Sequence, residues 1–544
     1  MINYIFYNNM LRSYIQTNTK IPCEIEEGYI EYKQRLDHKD RNKIKKMASQ
    51  MLWRLNEGKS CTGKTQAYYF LGIKDNGEIG NMEEKIIDAS IEVLQEVSQK
   101  CQAEILSIDK IFIDNYCIAE VIVCKRAYGN FVKESRVCFL GLSGHGKTTI
   151  ISHLTFNQLD NGNGLARSLI FKHIHEQNTG ITSSIKHDII GISNKKNIIN
   201  YKYGTYCNWE NIVLNSEKLI ALTDLPGMNK FYRTTLYGIF SLRPHFNIIV
   251  ISPFECQHDY ELNIANEIIN NIKICVFLNI PFFIVFTKSD LYIPDDEFIS
   301  KINSIVNIFS QKRNLYRFVN KIDDDIYNIP YVFVSSISGD GFNNLIQLLD
   351  LYSEQINNKN KKSVNDIIKE NSDVEFTIHD SYIIPDRGNV LYGILNSGKI
   401  NINDIYYLGP INQKFYPVTI SNIHKKQIDS KNIYPDESAS IEVKIQNGIE
   451  LTKNIYIVQT EEQICMQNNL NILLLEDNNN FIKLGSLYTI IYENVVETIL
   501  VDSINENNVT VSFLKRQCKP VKHNNICVLK ETFNNNLIVG KIIT

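Results

Sequence analysis

Apolar positions along the chain change their spacing from region to region. After an N-terminal extension (1–20), residues 21–130 mix two kinds of pattern. KKMASQMLWRLNEG and MEEKIIDASIEVLQEVSQKC place apolar residues at i, i+3 and i+4, the spacing of one helix face, whereas AYYFLGI and AEVIVCK read as strands. A small α/β N-terminal domain is expected. Over 134–352 the short apolar runs RVCFL, KLIALTD, FNIIVIS, PFFIVFT and YVFVSS alternate with helix-length amphipathic stretches. That alternation predicts an α/β domain with a mostly parallel sheet and helices on both faces. The polar stretch SEQINNKNKKSVNDIIKENS suggests a linker over 353–372. Beyond it, alternating strands punctuated by Gly and Asn turns predict two β-barrels, 373–459 and 460–544.

A length of 544 residues fits several domains, and 44% hydrophobic with 22% charged residues excludes disorder over most of the chain. Lys+Arg 57 against Asp+Glu 60 leaves a net charge of −3, which excludes a globally basic nucleic-acid-coating protein. The 12 cysteines form no C-x-x-C pair and read as reduced thiols of an intracellular protein. His173 and His175 are the nearest approach to a metal pair, and with no third ligand nearby they read as ordinary surface or core histidines. The start lacks a basic segment followed by an apolar core, so no signal peptide is expected. CVFLNIPFFIVF is interrupted by Asn279 and Pro281 and is too short to span a bilayer. The Asn-rich runs read as compositional bias.

Two stretches satisfy the pattern of a phosphate-binding loop. A working loop needs a strand, a glycine-rich turn whose N–H groups face phosphate, and a helix whose N-terminus adds positive potential. GKSCTGKT, Gly58 to Thr65, follows a helix and runs into a strand, the wrong order. GLSGHGKT, Gly141 to Thr148, follows the strand RVCFL and opens the helix TTIISHL. Gly141, Leu142, Ser143, Gly144, His145, Gly146, Lys147, Thr148 and Thr149 are therefore the candidate phosphate-binding residues. Lys147 is expected to reach the β- and γ-oxygens, and Thr148 to bind Mg²⁺.

The base is chosen further along. DLPG follows the strand KLIALT; Asp224 suits the Mg²⁺ shell, and the Gly227 N–H suits the γ-phosphate. FFIVF ends in TKSD, where Thr287, Lys288 and Asp290 form the candidate base site. The two Asp290 oxygens match guanine's N1–H and 2-amino donors, a pair that adenine lacks, and Lys288 is expected to lay its stem along the base. Ser335 and Ser336 follow YVFV and fit a loop offering an N–H to guanine O6. TGITSS lies between the P-loop and Asp224, and its Thr182 is a candidate ligand for Mg²⁺ and the γ-phosphate. Thr148, Thr182 and Asp224 are the candidate metal ligands, Thr182 and Gly227 the candidate catalytic positions, and GTP/GDP with Mg²⁺ the expected ligands.

With GHGKTT, GIT, DLPG and TKSD in order ahead of two barrels, the chain resembles the translational GTPases related to elongation factor Tu and elongation factor 1-alpha. LDNGNGLARSLIFKHIHEQNTGITSS, Leu159 to Ser184, looks like a segment of the eukaryotic GTP-binding protein 1 and GTP-binding protein 2 family. EEGYIEYK, MLWRLNEG and the spacing of Gly388, Val390, Gly393, Gly398, Ile400, Asp404, Gly409 and Pro410 resemble that family too. This resemblance implies a cytoplasmic, monomeric GTPase tied to translation elongation or surveillance. It also implies the ribosome and aminoacyl-tRNA or another RNA as partners, and no membrane.

Several positions depart from the pattern. Translational GTPases usually carry His directly after DxxG to orient the attacking water, and here Met228 cannot hydrogen-bond it. Gly144 replaces the usual Asp of the P-loop, Thr287 the usual Asn of the base motif, and Ser143 an apolar residue that screens the water, while Ile181 keeps the opposite half of that gate. His145 is a candidate substitute for the missing water contact. Three readings follow: a slow GTPase switch, a GTP-bound binding module, and a GTPase regulating a non-translational enzyme. The basic stretches DRNKIKKM and SFLKRQCKPVKH are candidate RNA contacts.

Overall fold

A computed structural model describes residues 10–16, 20–25, 27–36, 41–62, 65–101, 103–113, 116–125, 134–171, 173–193, 196–202, 209–256, 265–310, 317–319, 328–359, 370, 372–384, 388–445, 451, 455–475, 482–515, 518–531 and 536–543. The chain divides into two compact units, Met1–Tyr128 and Gly129–Thr544.

In the first unit, helix α1 (Met10–Gln16) precedes β1 (Ile30–Lys33), α2 (Arg41–Thr62), β2 (Gln66–Leu71), α3 (Glu84–Lys100), β3 (Ala103–Ile113) and β4 (Tyr116–Lys125). The sheet order is β1-β2-β4-β3. Alternation along β2 decides both faces: Ala67, Tyr69 and Leu71 pack with α2 and α3, while Tyr68 and Phe70 pack with Leu11 of α1. Arg54 of MLWRLNEG donates to Glu31 of EEGYIEYK at 2.6 Å, so these two family-like segments lock together. The false phosphate motif is largely helical, since α2 continues to Thr62; Gly63 and Lys64 lie outside the described residues.

The second unit opens with an eight-stranded sheet. Its elements are β5 (Glu134–Leu140), α4 (Lys147–Phe156), α5 (Leu165–Ser168), α6 (Ile174–Thr179), β6 (Lys186–Ile192), β7 (Ile198–Ile199), α7 (Trp209–Asn215) and β8 (Lys218–Asp224). There follow α8 (Tyr232–Leu242), β9 (Phe246–Ile251), α9 (Pro253–Cys256), α10 (Asn266–Phe277), β10 (Phe282–Thr287), α11 (Asp296–Ser310), β11 (Arg317–Val319), β12 (Asn328–Val334) and α12 (Phe342–Lys359). The strand order is β11-β12-β10-β9-β5-β8-β6-β7. All neighbours are parallel except the pairs β8–β6 and β6–β7. Strands β9 and β10 are buried along their whole length because both sheet faces are covered, one by α8, α10 and α11 and the other by α4 and α12. Helix α12 runs to Lys359, so the first residues of the stretch read as a linker are helical; amphipathic spacing through Tyr352 and Ile356 outweighs their polar neighbours. Residues 360–369 and 371 of that stretch lie outside the described ones.

Two six-stranded barrels close the chain. The first uses Glu375–Ile384, Gly388–Ser397, Ile405–Ile411, Lys414–Lys425, Ser438–Lys444 and Tyr456–Val458, closed where Ile405–Ile411 pairs with Lys414–Lys425. The second uses Asn469–Leu474, Leu487–Tyr492, Val495–Asn505, Asn508–Phe513, Ile526–Glu531 and Leu537–Ile542. Both pack on the eight-stranded sheet domain. Arg136, 5% exposed, donates to Asp436 at 2.6 Å, and Ile491, Val528, Leu537 and Val539 join the core under α8 and α10. Among the described residues no helix is long and apolar enough to cross a membrane.

The candidate nucleotide site

The P-loop bends where its glycines permit. Gly141 and Gly146 have φ of +142° and +88°, and a β-carbon on Gly141 would lie 2.2 Å from the Val250 carbonyl oxygen, so no side chain fits there. Gly146 caps α4, whose first residues Lys147 and Thr148 are buried. Lys147 Nζ donates to the carbonyls of Gly141 and Leu142 at 2.7 and 2.9 Å, and burial brings its pKa down to about 8. Its ammonium thus lies along the inside of the loop that should receive phosphate.

Three separate segments meet at the candidate metal position. Thr148 Oγ1 donates to Asp224 Oδ2 at 2.6 Å, Thr182 Oγ1 lies 3.3 Å from the same oxygen, and the two hydroxyls are 2.9 Å apart. Asp224 is 1% exposed, its Oδ1 has no hydrogen-bond partner among the described residues, and burial raises its pKa. A buried carboxylate oxygen without a partner is costly, and a hard cation removes that cost. Asp224 and the two hydroxyls therefore fit Mg²⁺, which binds few protein oxygens beside phosphate and water. Gly227 closes this side of the site. Its carbonyl accepts the Ser143 N–H at 3.0 Å, and a β-carbon there would stand 2.4 Å from Lys147 Nζ and 2.6 Å from Ser143 N. Ser143 and Gly144 are exposed, and Thr149 is half-buried on the first turn of α4.

A buried ion pair carries Thr182 into place. Glu176 of α6 is fully buried, with Lys186 Nζ 2.6 Å from its Oε2 and the Ser183 N–H and hydroxyl donating to its Oε1 at 2.9 and 3.0 Å. Burial opposes its charge, but Lys186 and Ser183 outweigh burial and bring its pKa down to about 2. Glu176 stands among polar residues in HEQNTGITSS, so no sequence signal marked it. Glu134 and Arg136 were also missed as ties to the first barrel. Their sign was available, because two charges near the start of an otherwise apolar strand need partners.

At the base side, parallel pairing sets Thr287 of β10 opposite Val334 of β12, which brings the following loops together. Asp290 is exposed, and its Oδ1 accepts the Ser335 hydroxyl at 2.6 Å. The Ser335 N–H is bonded to the Asp340 carbonyl at 3.0 Å in the turn at Gly339 and Gly341, so an N–H that this loop offers guanine O6 has to come from another residue. The Ser336 carbonyl accepts the Asp160 N–H at 2.8 Å, tying the segment before Thr182 to the base loop. Lys288, at φ +59°, pairs with Glu255.

His145, the candidate substitute for the missing water contact, is turned into the protein. It is 3% exposed, its Nδ1 accepts the Ser252 N–H at 3.2 Å, and burial, with help from Lys147, lowers its pKa to about 4. A neutral imidazole that is buried and held by the Ser252 N–H is not free to meet water at the phosphate. Met228 is half-buried, starts the turn into α8, and accepts the Phe231 N–H through its carbonyl at 2.9 Å. The candidate RNA contacts divide: Lys43, Lys45 and Lys46 are exposed, whereas Lys519 and Lys522 pair with Glu497 and with Glu375 and Glu493. His173 and His175 stack at 5.4 Å, and the described residues hold no cluster of three or more His, Cys, Asp or Glu able to bind a metal.

Residues 133–355 match the family model of the elongation factor Tu GTP binding domain. The chain is 27% identical to GTP-binding protein 2 of Homo sapiens over 504 residues, which covers 89% of this chain and 80% of that protein. Among solved structures it is similar to the S. cerevisiae Ski7 GTPase-like domain bound to GDP and inorganic phosphate. That match has a TM-score of 0.57 and 17% identity, and covers 76% of this chain and 97% of that one. It is also similar to the bacterial selenocysteine-specific elongation factor EF-Sec, with a TM-score of 0.54, 17% identity, 76% of this chain and 58% of that one. Residues 133–355 are thus similar to the elongation factor Tu GTP binding domain, the fold with its two barrels is that of the translational factors above, and the likeness to GTP-binding protein 2 runs along most of the chain.

Proposed function

We propose that the protein is a cytoplasmic GTP-dependent switch that engages the ribosome, and aminoacyl-tRNA or another RNA, through its barrels, and that hydrolyses GTP slowly or only with help from a partner. The meeting of Thr182 with Thr148 and Asp224 supports this reading above all. Thr182 belongs to a segment that reaches the site only when it folds over the P-loop, so its position depends on what the site holds.

Bound GTP would take the Lys147 ammonium from its own loop carbonyls to the β- and γ-oxygens. Thr148, Thr182 and Asp224 would hold Mg²⁺, which supplies compensation for the phosphate charge when bound. Gly227 admits the loop at its closest approach. From there α8 leads outward: Tyr237 donates to the His379 carbonyl of the first barrel at 3.0 Å, and Arg233 to the Val496 carbonyl of the second at 3.0 Å. A shift at Gly227 is thereby passed to both barrels. Ribosome cosedimentation tests the switch: the protein loaded with a slowly hydrolysed GTP analogue should pellet with ribosomes and the GDP form should stay in solution. Equal partition of the two forms would remove the switch reading.

A second reading, a binding module whose GTP stays intact, is favoured by one pair of observations. Met228 offers the attacking water no hydrogen bond, and His145 is held in the core. The two readings agree on binding and differ in turnover.

A further inference from the structure

Thr287 stands at the head of the TKSD loop, and its hydroxyl has one proton to donate. It is 3% exposed and turned inward: Oγ1 donates to the His145 carbonyl at 2.9 Å, with the Ile251 carbonyl at 3.4 Å. Both neighbours are acceptors, so the proton stays within the protein whichever it faces. The rest of the side chain lies along the P-loop. A β-carbon on Gly146 would stand 3.6 Å from Thr287 Cγ2 and 3.7 Å from its Oγ1, ordinary van der Waals contact. The hydroxyl is a strut joining β9, β10 and the P-loop.

Guanine presents two edges of opposite character. N1–H and the 2-amino group donate and suit a carboxylate, whereas N7 and O6 accept and need donors. Asp290 suits the first edge, with Ser335 steadying one of its oxygens. For the second edge, Thr287 has no proton left. Other side chains near this loop are also engaged: the His145 ring is buried with its Nδ1 on the Ser252 N–H, and the Lys288 ammonium pairs with Glu255. We infer that this pocket reads guanine by its N1 and 2-amino edge and leaves N7 unread, so that a guanine nucleotide altered at position 7 binds as well as GTP. The inference rests on the proposed placement of the base against the TKSD loop.

The test is calorimetric titration of the full-length protein with three nucleotides. GTP is compared with 7-deaza-GTP, which carries C–H in place of N7, and with inosine triphosphate, which lacks the 2-amino group. A net hydrogen bond changes affinity by about three- to tenfold. The expected result is GTP and 7-deaza-GTP equal to within about twofold and inosine triphosphate weaker by about tenfold, since it removes a bond to a charged carboxylate. Thr287→Val, which keeps the shape and removes the strut, should weaken GTP and 7-deaza-GTP by the same factor. Binding of 7-deaza-GTP about fivefold or more weaker than GTP by the natural chain would overturn the inference while leaving the base site in place. So would a loss on Thr287→Val confined to GTP. Failure of GTP to bind, or inosine triphosphate binding as well as GTP, would remove the base-site reading and this inference with it. The comparison on the natural chain stands whether or not the variant folds.

Discussion

The base side and the Thr182 loop of the candidate site are assembled by different means. Asp290 and Ser335 lie on loops leaving strands that pair in parallel, with Thr287 opposite Val334, so the sheet itself brings them together. On the phosphate side the sheet also sets Asp224, opposite Phe139 of β5 and Lys186 of β6, whereas Thr182 lies on the loop before β6 and meets Thr148 and Asp224 through its hydroxyl. On the proposed reading the base side is rigid, and the conditional part of the phosphate side is the Thr182 loop. Position 228 widens the contrast: the candidate Mg²⁺ ligands Thr148, Thr182 and Asp224 meet, while Met228, at the position expected to face the attacking water, is apolar.

The largest expected effect is on the rigid side. Asp290→Asn replaces an acceptor with a donor facing guanine's own donors, removing charge-assisted hydrogen bonds that together contribute about 4 kcal/mol. GTP affinity by titration should fall by two to three orders of magnitude. Next comes the buried pair that positions Thr182. Glu176→Gln leaves the Lys186 charge buried without its counter-ion, which should cost about 3 kcal/mol in chemical denaturation. It should also narrow the preference for a GTP analogue over GDP. The pH dependence has a fixed sign: because the Glu176 pKa is depressed from 4.5 to about 2, its stabilisation is fully present above about 4.5 and is lost as pH falls through about 2.

Lys147 gives a smaller effect of opposite sense. Its pKa near 8 in the nucleotide-free protein should rise when phosphate arrives, so binding takes up a proton above pH 8. GTP affinity should then weaken by up to about tenfold per pH unit above that value. Titration at pH 9 in buffers of different ionisation enthalpy would measure the proton uptake; a flat profile would mean that the lysine is already fully charged. The smallest effect is at the apolar position: Met228→Leu should change hydrolysis by less than about twofold, since one apolar side chain replaces another.

Elements and their order were readable because each carries its own periodicity: β9 and β10 are apolar runs interrupted only by Asn247 and the terminal Thr287, and the barrels alternate. GLSGHGKT was separable from GKSCTGKT by its flanks alone, since it follows a strand and opens a helix whereas GKSCTGKT begins inside α2. What the sequence could not show depended on long-range packing. Glu176 is hidden among polar neighbours, and only the folding of α6 onto β6 brings Lys186 to it. His145 looks like a free side chain in a glycine-rich loop until Ser252, 107 residues away, is seen to hold it. Likewise Asp436 lies in a turn-like stretch, YPDESAS, and becomes a tie to the sheet domain only opposite Arg136.

The most direct measurement is single-turnover GTP hydrolysis by the natural protein and by Met228→His, each with and without ribosomes. Slow turnover by the natural protein alone, faster turnover when ribosomes are present, and a rise of about tenfold or more in Met228→His are the results expected of a complete binding site that lacks only a water-orienting group. Rapid hydrolysis by the natural protein alone, unchanged in Met228→His, would contradict the account.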